Sequence, residues 1–289
     1  MLSDYDLATW LEAANRRYSA EGISHKGRPF TAWREFSVEN DLSLALDHPT
    51  TKAIFQWFYE HSPPGAHQIG AVYTGVYLYD TAFWPVCIPL TYGQVSVDAI
   101  ECLETMPLQI KKMLNSSPQD LWSYVLHWAD CMDYGYWQMD LEASDRLKPR
   151  ALQFLGAGHA ELKGANSQLL EARPNVKAIL GMRMATEIFL KTVLVQELNL
   201  TDDELRTISH KLEKAAERCA DVTGQSTFKE IAEQVACYPP VSARYEDTDW
   251  PESRVWQAAF VTQVTAATVT RLYSDRNIRA EVLRQGEPV

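Results

Sequence analysis

The chain has 289 residues, 46% hydrophobic and 22% charged, which excludes bulk disorder and suits one large domain or two of ordinary size. Its net charge of -11 argues against a broad DNA-binding surface, although a local basic patch can survive in an acidic whole. Five cysteines (Cys87, Cys102, Cys131, Cys219, Cys237), odd in number and without a Cys-x-x-Cys pair, fit reduced thiols in a cytoplasmic protein better than a secreted disulfide framework.

Helical periodicity leads from the start. Ser3 is a cap candidate with Asp6 three residues on, Leu7, Trp10, Leu11 and Ala14 share a face, and Gly22 is a natural stop. Met1-Leu-Ser-Asp-Tyr-Asp has no basic region leading into an apolar run, so no signal peptide is expected. A second helix is expected from about Thr50, carrying Ile54, Phe55, Trp57 and Phe58 up to the breaker Ser62-Pro-Pro-Gly65. Gln68 to Gly93 reads two ways. Val72, Tyr73, Val76, Tyr77 and Tyr79 are β-formers, and Pro85 and Pro89 then confine the following run to an edge strand or loop. The alternation is poor enough that an aromatic helix competes with a β-hairpin. Phe83 to Leu90, the most apolar segment, is too short to span a bilayer.

Further helices are expected over Ser96 to Glu104, over Pro107 to Leu114, and from Ser117 and Pro118 along an apolar face running towards Met139. Ser144 and Asp145 are read as opening a long helix towards Ala172, with Pro149 tolerated near its start, and this sets the expected boundary between regions 1–143 and 144–289. Asn175 to Leu198 is the next helix, and Thr201-Asp-Asp-Glu204 is a capping box for one reaching Gly224. Thr227 to Ala236 and Glu252 to Ser274 complete the set. The expectation is a mainly α protein: an N-terminal mostly helical region with the hairpin left open, then an antiparallel bundle of four long helices.

Three segments carry the chemistry. Met184-Ala-Thr-Glu-Ile-Phe-Leu-Lys191 sets a Glu187/Lys191 pair in an apolar helix, Ser209-His-Lys-Leu212 brings His210, and Ala243-Arg-Tyr245 brings an Arg-Tyr step before the last helix. In this order, across Ser144 to Arg276, they resemble the HEPN family of helical bundles. The resemblance implies a homodimer, a nucleotide, RNA or protein partner, and a setting in bacterial defence or toxin–antitoxin biology. It also implies binding roles for Glu187, Lys191, His210, Arg244 and Tyr245. The ribonucleases of that family carry an Arg followed four to six residues later by a His on the final helix. Here the last helix holds Arg254 and Arg271, and no His follows His210. The implied function is therefore a non-catalytic binding or regulatory module, and Arg206 with His210, three residues between them, is the nearest approach to a nuclease pair.

Other constellations point less far. His127, Asp130 and Cys131 share a helical face but lack the patterned partners that zinc needs, so no metal is assigned. No glycine-rich phosphate loop lies between a strand and a helix, and no cofactor is expected. Tyr77, Tyr79, Phe83 and Trp84 leave a small-molecule pocket as an alternative function.

Overall fold

The structure, a computed structural model, describes residues 4–42, 45, 47–63, 71–91, 95–142, 144–208, 210–245 and 249–286, without the side chains of residues 4–6 and 244. The chain forms two compact units, residues 1–70 and 71–289. The first contains α1 (Asp4–Ala20), α2 (Arg28–Glu39) and α3 (Pro49–Glu60), closed on Leu11, Ala14, Tyr18, Ala32, Phe36, Ile54 and Phe58. Ser3 and the Asp6 side chain, the expected cap of α1, lie outside the described residues. α3 opens one residue before the expected Thr50, with His48 Nδ1 accepting from the Thr50 amide at 3.2 Å. α2 was not foreseen. Its Gly27-Arg-Pro29 start reads as a turn, yet Pro29 sits in the first helical turn, where the missing N–H costs nothing.

In the second unit the strand alternative holds: β1 (Tyr73–Tyr79) and β2 (Ala82–Ile88) pair antiparallel about Asp80 and Thr81. Both turn residues have positive φ, 50° and 58°, as a two-residue primed turn requires. Counting outwards from that turn, Pro85 opposite Val76 falls at a non-hydrogen-bonded position, so its lack of an N–H leaves the ladder intact. The poor alternation has a physical cause. Tyr73, Gly75, Val76 and Tyr77 are all buried, because helices contact this short sheet from several directions.

The helices that follow are α4 (Leu108–Ser116), α5 (Pro118–Gly135), α6 (Pro149–Leu169), α7 (Ala178–Leu198), α8 (Asp202–Ile208), α9 (Leu212–Thr223), α10 (Thr227–Gln234), α11 (Glu252–Tyr273) and α12 (Ile278–Gln285). The protein is thus mainly α with one small β-hairpin among the described residues. α7 is central: Ile179, Met182, Ala185, Phe189, Leu190, Val193 and Leu194 are buried, and it packs on α6, α9 and α11. None of the described helices is long and apolar enough to cross a membrane.

Several expectations need correction: α6, expected to open at Ser144 and Asp145, starts at Pro149 with Lys148 in the cap position. Ser96 to Glu104 is not a helix, since only Ile100–Cys102 makes a 3-10 turn. The compact units divide between residues 70 and 71, and residues 71–143 belong with the second of them. α5 shows why: its buried face is completed by the hairpin, α11 and α12, the last two of which follow it by more than a hundred residues. Finally, the helix expected from Thr201 to Gly224 is two. The capping box forms, with Thr201 N donating to Glu204 Oε2 at 2.7 Å and Glu204 N to Thr201 Oγ1 at 3.4 Å, but α8 ends at Ile208. α9 starts afresh at Leu212 and stops at Gly224, whose φ of 70° suits glycine best.

The sheet meets α5 without spare room. A Cβ built on Gly75 would stand 2.6 Å from Cys131 Sγ. Gly75→Ala is expected to destabilise the unit by about 1–3 kcal/mol through overpacking. In urea unfolding, Cys131→Ala should return part of that loss when combined with it; strictly additive losses would refute the clash.

Candidate functional site

The site begins with a charge ladder on α7. Arg183, Glu187 and Lys191 follow at i, i+4 and i+8, which stacks them on one face of the helix. Lys191 Nζ donates to Glu187 Oε1 at 2.6 Å, and Arg183 Nη1 lies 3.7 Å from Glu187 Oε2. The Glu187 side chain is only 11% exposed, so its charge depends on these partners.

The break between α8 and α9 brings the third partner. His210 sits in that turn, and its Nδ1 donates to Glu187 Oε2 at 2.9 Å. A carboxylate only accepts, so this contact places a proton on Nδ1. The His210 side chain is 56% exposed. Were residues 201–224 one continuous helix, position 210 would lie within its regular ladder. The break lets it turn to α7.

Arg183 holds the two walls together. Its Nη2 donates to the His210 carbonyl at 2.8 Å and its Nε to the Pro239 carbonyl at 3.0 Å. Beside it, the Tyr238 hydroxyl is buried against Thr186 Oγ1 at 2.7 Å and Thr262 Oγ1 at 2.8 Å, tying the Tyr238–Pro240 corner to α7 and α11. Burial raises the Tyr238 phenol well above its ordinary pKa, so it stays neutral. Between these walls lies an open groove of about 550 Å³, reached by Arg183, His210, Lys211 and Lys214 and by the acids Glu213 and Glu233. Three permanent cations face two carboxylates there. The start of α9, whose cap position Lys211 makes no side-chain capping bond, adds the positive end of a helix.

Of the residues singled out from the sequence, Glu187, Lys191 and His210 converge. Arg206 does not join them: α8 ends before His210, and Arg206 pairs with Asp203 at 2.8 Å on the exposed surface. Tyr245 is 86% exposed in the 3-10 segment Val241–Tyr245, and the Arg244 side chain lies outside the described residues. Arg183 went unnoticed in the sequence, although its i,i+4 spacing from Glu187 was the available signal.

His127, Asp130 and Cys131 are engaged in other ways. His127 Nε2 donates to the Val76 carbonyl at 2.8 Å, and Asp130 accepts from Arg271 and from Arg279, each at 2.7 Å. Burial raises the Cys131 thiol well above its ordinary pKa, the opposite of an activated nucleophile. The aromatic stretch divides likewise: the Tyr77 ring packs edge-on against Tyr124 and Trp256, and Trp84 Nε1 donates to the Tyr79 carbonyl at 2.9 Å. No protein-family model matches the chain, and no curated protein or solved structure matches it either.

Proposed function

We propose that the second unit is a HEPN-like binding or regulatory module, and that the groove beside His210 takes a phosphate-bearing ligand such as a nucleotide or a segment of RNA. The observation that carries this reading is the meeting of Arg183, Lys191 and His210 on one carboxylate, Glu187, at the edge of a groove with more cations than anions. The ladder orients the cations, and phosphate oxygens supply the missing negative charge. The resemblance adds a homodimer and a place in bacterial defence or toxin–antitoxin biology; sedimentation velocity tests the dimer.

Fluorescence anisotropy with a single-stranded RNA oligonucleotide and with a labelled nucleotide tests the groove. Lys211→Glu combined with Lys214→Glu should weaken binding about tenfold, roughly 1.4 kcal/mol, and steepen no other property of the chain. Wild-type protein that binds neither ligand would end this reading.

A second reading, a metal-independent ribonuclease, draws on one contact. Glu187 holds the His210 ring by Nδ1, and in this reading Nε2 is the atom that takes a proton from a ribose hydroxyl. Its signature is RNA cleavage without added metal, lost in His210→Ala and unaffected by Arg206→Ala. The binding-module reading expects no cleavage at all.

A further inference from the structure

The turn between α1 and α2 holds a buried charge without a counter-charge. Arg28, the first residue of α2, is 7% exposed. Its Nε donates to the Ile23 carbonyl at 2.9 Å and its Nη1 to Asn15 Oδ1 at 2.8 Å, with His25 Nδ1 3.5 Å from the same nitrogen. No carboxylate is among these partners. The ion pairs described in this unit join Arg17 to Glu21 and Glu35, which occupies the nearest acids in sequence. A guanidinium this deep, held by uncharged acceptors alone, is costly unless an anion reaches it.

Part of Arg28 is open to such an anion. Among the described residues the one side-chain nitrogen or oxygen that is both enclosed and unpartnered is His127 Nδ1. The Arg28 Nη2, which has no hydrogen bond among the described residues, is therefore not fully enclosed. The end of α2 beside it is uncapped: Gly27 offers no side chain, Pro29 has no amide, and the Phe30 amide makes no described hydrogen bond. The surrounding sequence points the same way. From Gly22 to Arg34 there is no Asp or Glu, yet the stretch contains His25, Lys26, Arg28 and Arg34 in a chain of net charge -11.

We propose that Arg28, with the Ser24–Lys26 turn and the first turn of α2, binds the phosphate group of a small ligand. A phosphate has enough acceptor oxygens to meet the two remaining Nη2 hydrogens, the Phe30 amide and the Lys26 ammonium together, which a carboxylate does less completely. This site lies in a different unit from the His210 groove and does not depend on the function proposed for that groove.

The test is a titration of the full chain with inorganic phosphate, read by amide chemical shifts, against chloride at matched ionic strength. Saturable shifts centred on residues 24–31 are expected with phosphate only. They should persist in the Lys211→Glu/Lys214→Glu variant, weaken several-fold in Lys26→Glu and vanish in Arg28→Gln. Equal, non-saturating responses to phosphate and chloride overturn the proposal, as does saturation elsewhere in the chain or undiminished binding by Arg28→Gln. Should Arg28→Gln not fold, the wild-type and Lys26→Glu titrations decide the matter alone.

Discussion

Asp130→Ala is expected to cost the second unit about 3–5 kcal/mol, the range for removing one member of a buried ionic network. Asp130 and Asp133 are completely buried on α5. Arg271 Nη1 donates to Asp130 Oδ1 at 2.7 Å and to Asp133 Oδ2 at 2.9 Å, while Arg279 Nη1 donates to Asp130 Oδ2 at 2.7 Å. Burial pushes the Asp130 carboxyl above its ordinary pKa, against the pull of the two guanidiniums. Burial alone would lower Arg271, but Asp130 and Asp133 outweigh it and hold it raised. Two short charge-assisted bonds favour the ionised pair, so deleting Asp130 takes the carboxylate from Arg279 and leaves Arg271, whose side chain is only 13% exposed, with Asp133 alone.

The same network holds down α12. Asp133 accepts from the amides of Ile278 at 2.6 Å and Arg279 at 3.2 Å, capping α12, none of whose residues is fully buried. Asp130→Ala should therefore also expose α12 to proteolysis before the rest of the unit opens. Urea unfolding followed by circular dichroism measures the first effect and timed trypsin digestion the second. A loss below about 1 kcal/mol would place the network among weak surface pairs instead.

Acid is expected to remove up to about 3 kcal/mol of stability through His127 alone. This side chain is 1% exposed, its Nε2 donates to the Val76 carbonyl, and its Nδ1 has no partner. Tyr77, Trp256 and Phe260 surround the ring, Cys131 Sγ lies 3.7 Å from Nε2, and Arg279 adds a positive field. Burial is the main cause that lowers its pKa from 6.5 to about 4; the Val76 bond opposes this and Arg279 reinforces it. Between those values the unfolded chain takes up a proton that the folded chain refuses. Stability from this residue is thus complete above about pH 6.5, falls as the pH drops through that value, and levels off near pH 4. His127→Gln can keep a donor towards Val76 and does not titrate. The stability gap between wild type and this variant, measured in urea from pH 7 to pH 4, should shift against the wild type; a constant gap contradicts the account.

Much of the helical layout was legible because local chemistry marks it. The Thr201/Glu204 capping box, Ser117 before Pro118, Gly224 at a helix end and the apolar spacing of residues 175–198 and 252–274 each act within a few residues of themselves. Gly158 shows the opposite case: it reads as a weak helix position, yet a Cβ there would come within 2.7 Å of the Phe189 ring, a fact that depends on α7. The site divides in the same way. Glu187 and Lys191 announce themselves by i,i+4 order, and His210 stands out by type, but nothing local joins His210 to Glu187.

The sequence by itself determined most of the long helices, where several of them start, and the Glu187/Lys191 pair, since propensity, capping and i,i+4 contacts are local energies. Tertiary structure decided the rest. It chose hairpin over helix for residues 73–88 by burying that segment on both faces, and it joined α5 to α11 and α12 through aspartates whose charges only distant arginines satisfy. It also broke residues 201–224 so that His210 reaches Glu187. Each outcome depends on burial and on partners far away in the chain, and neither is encoded in any short window of residues.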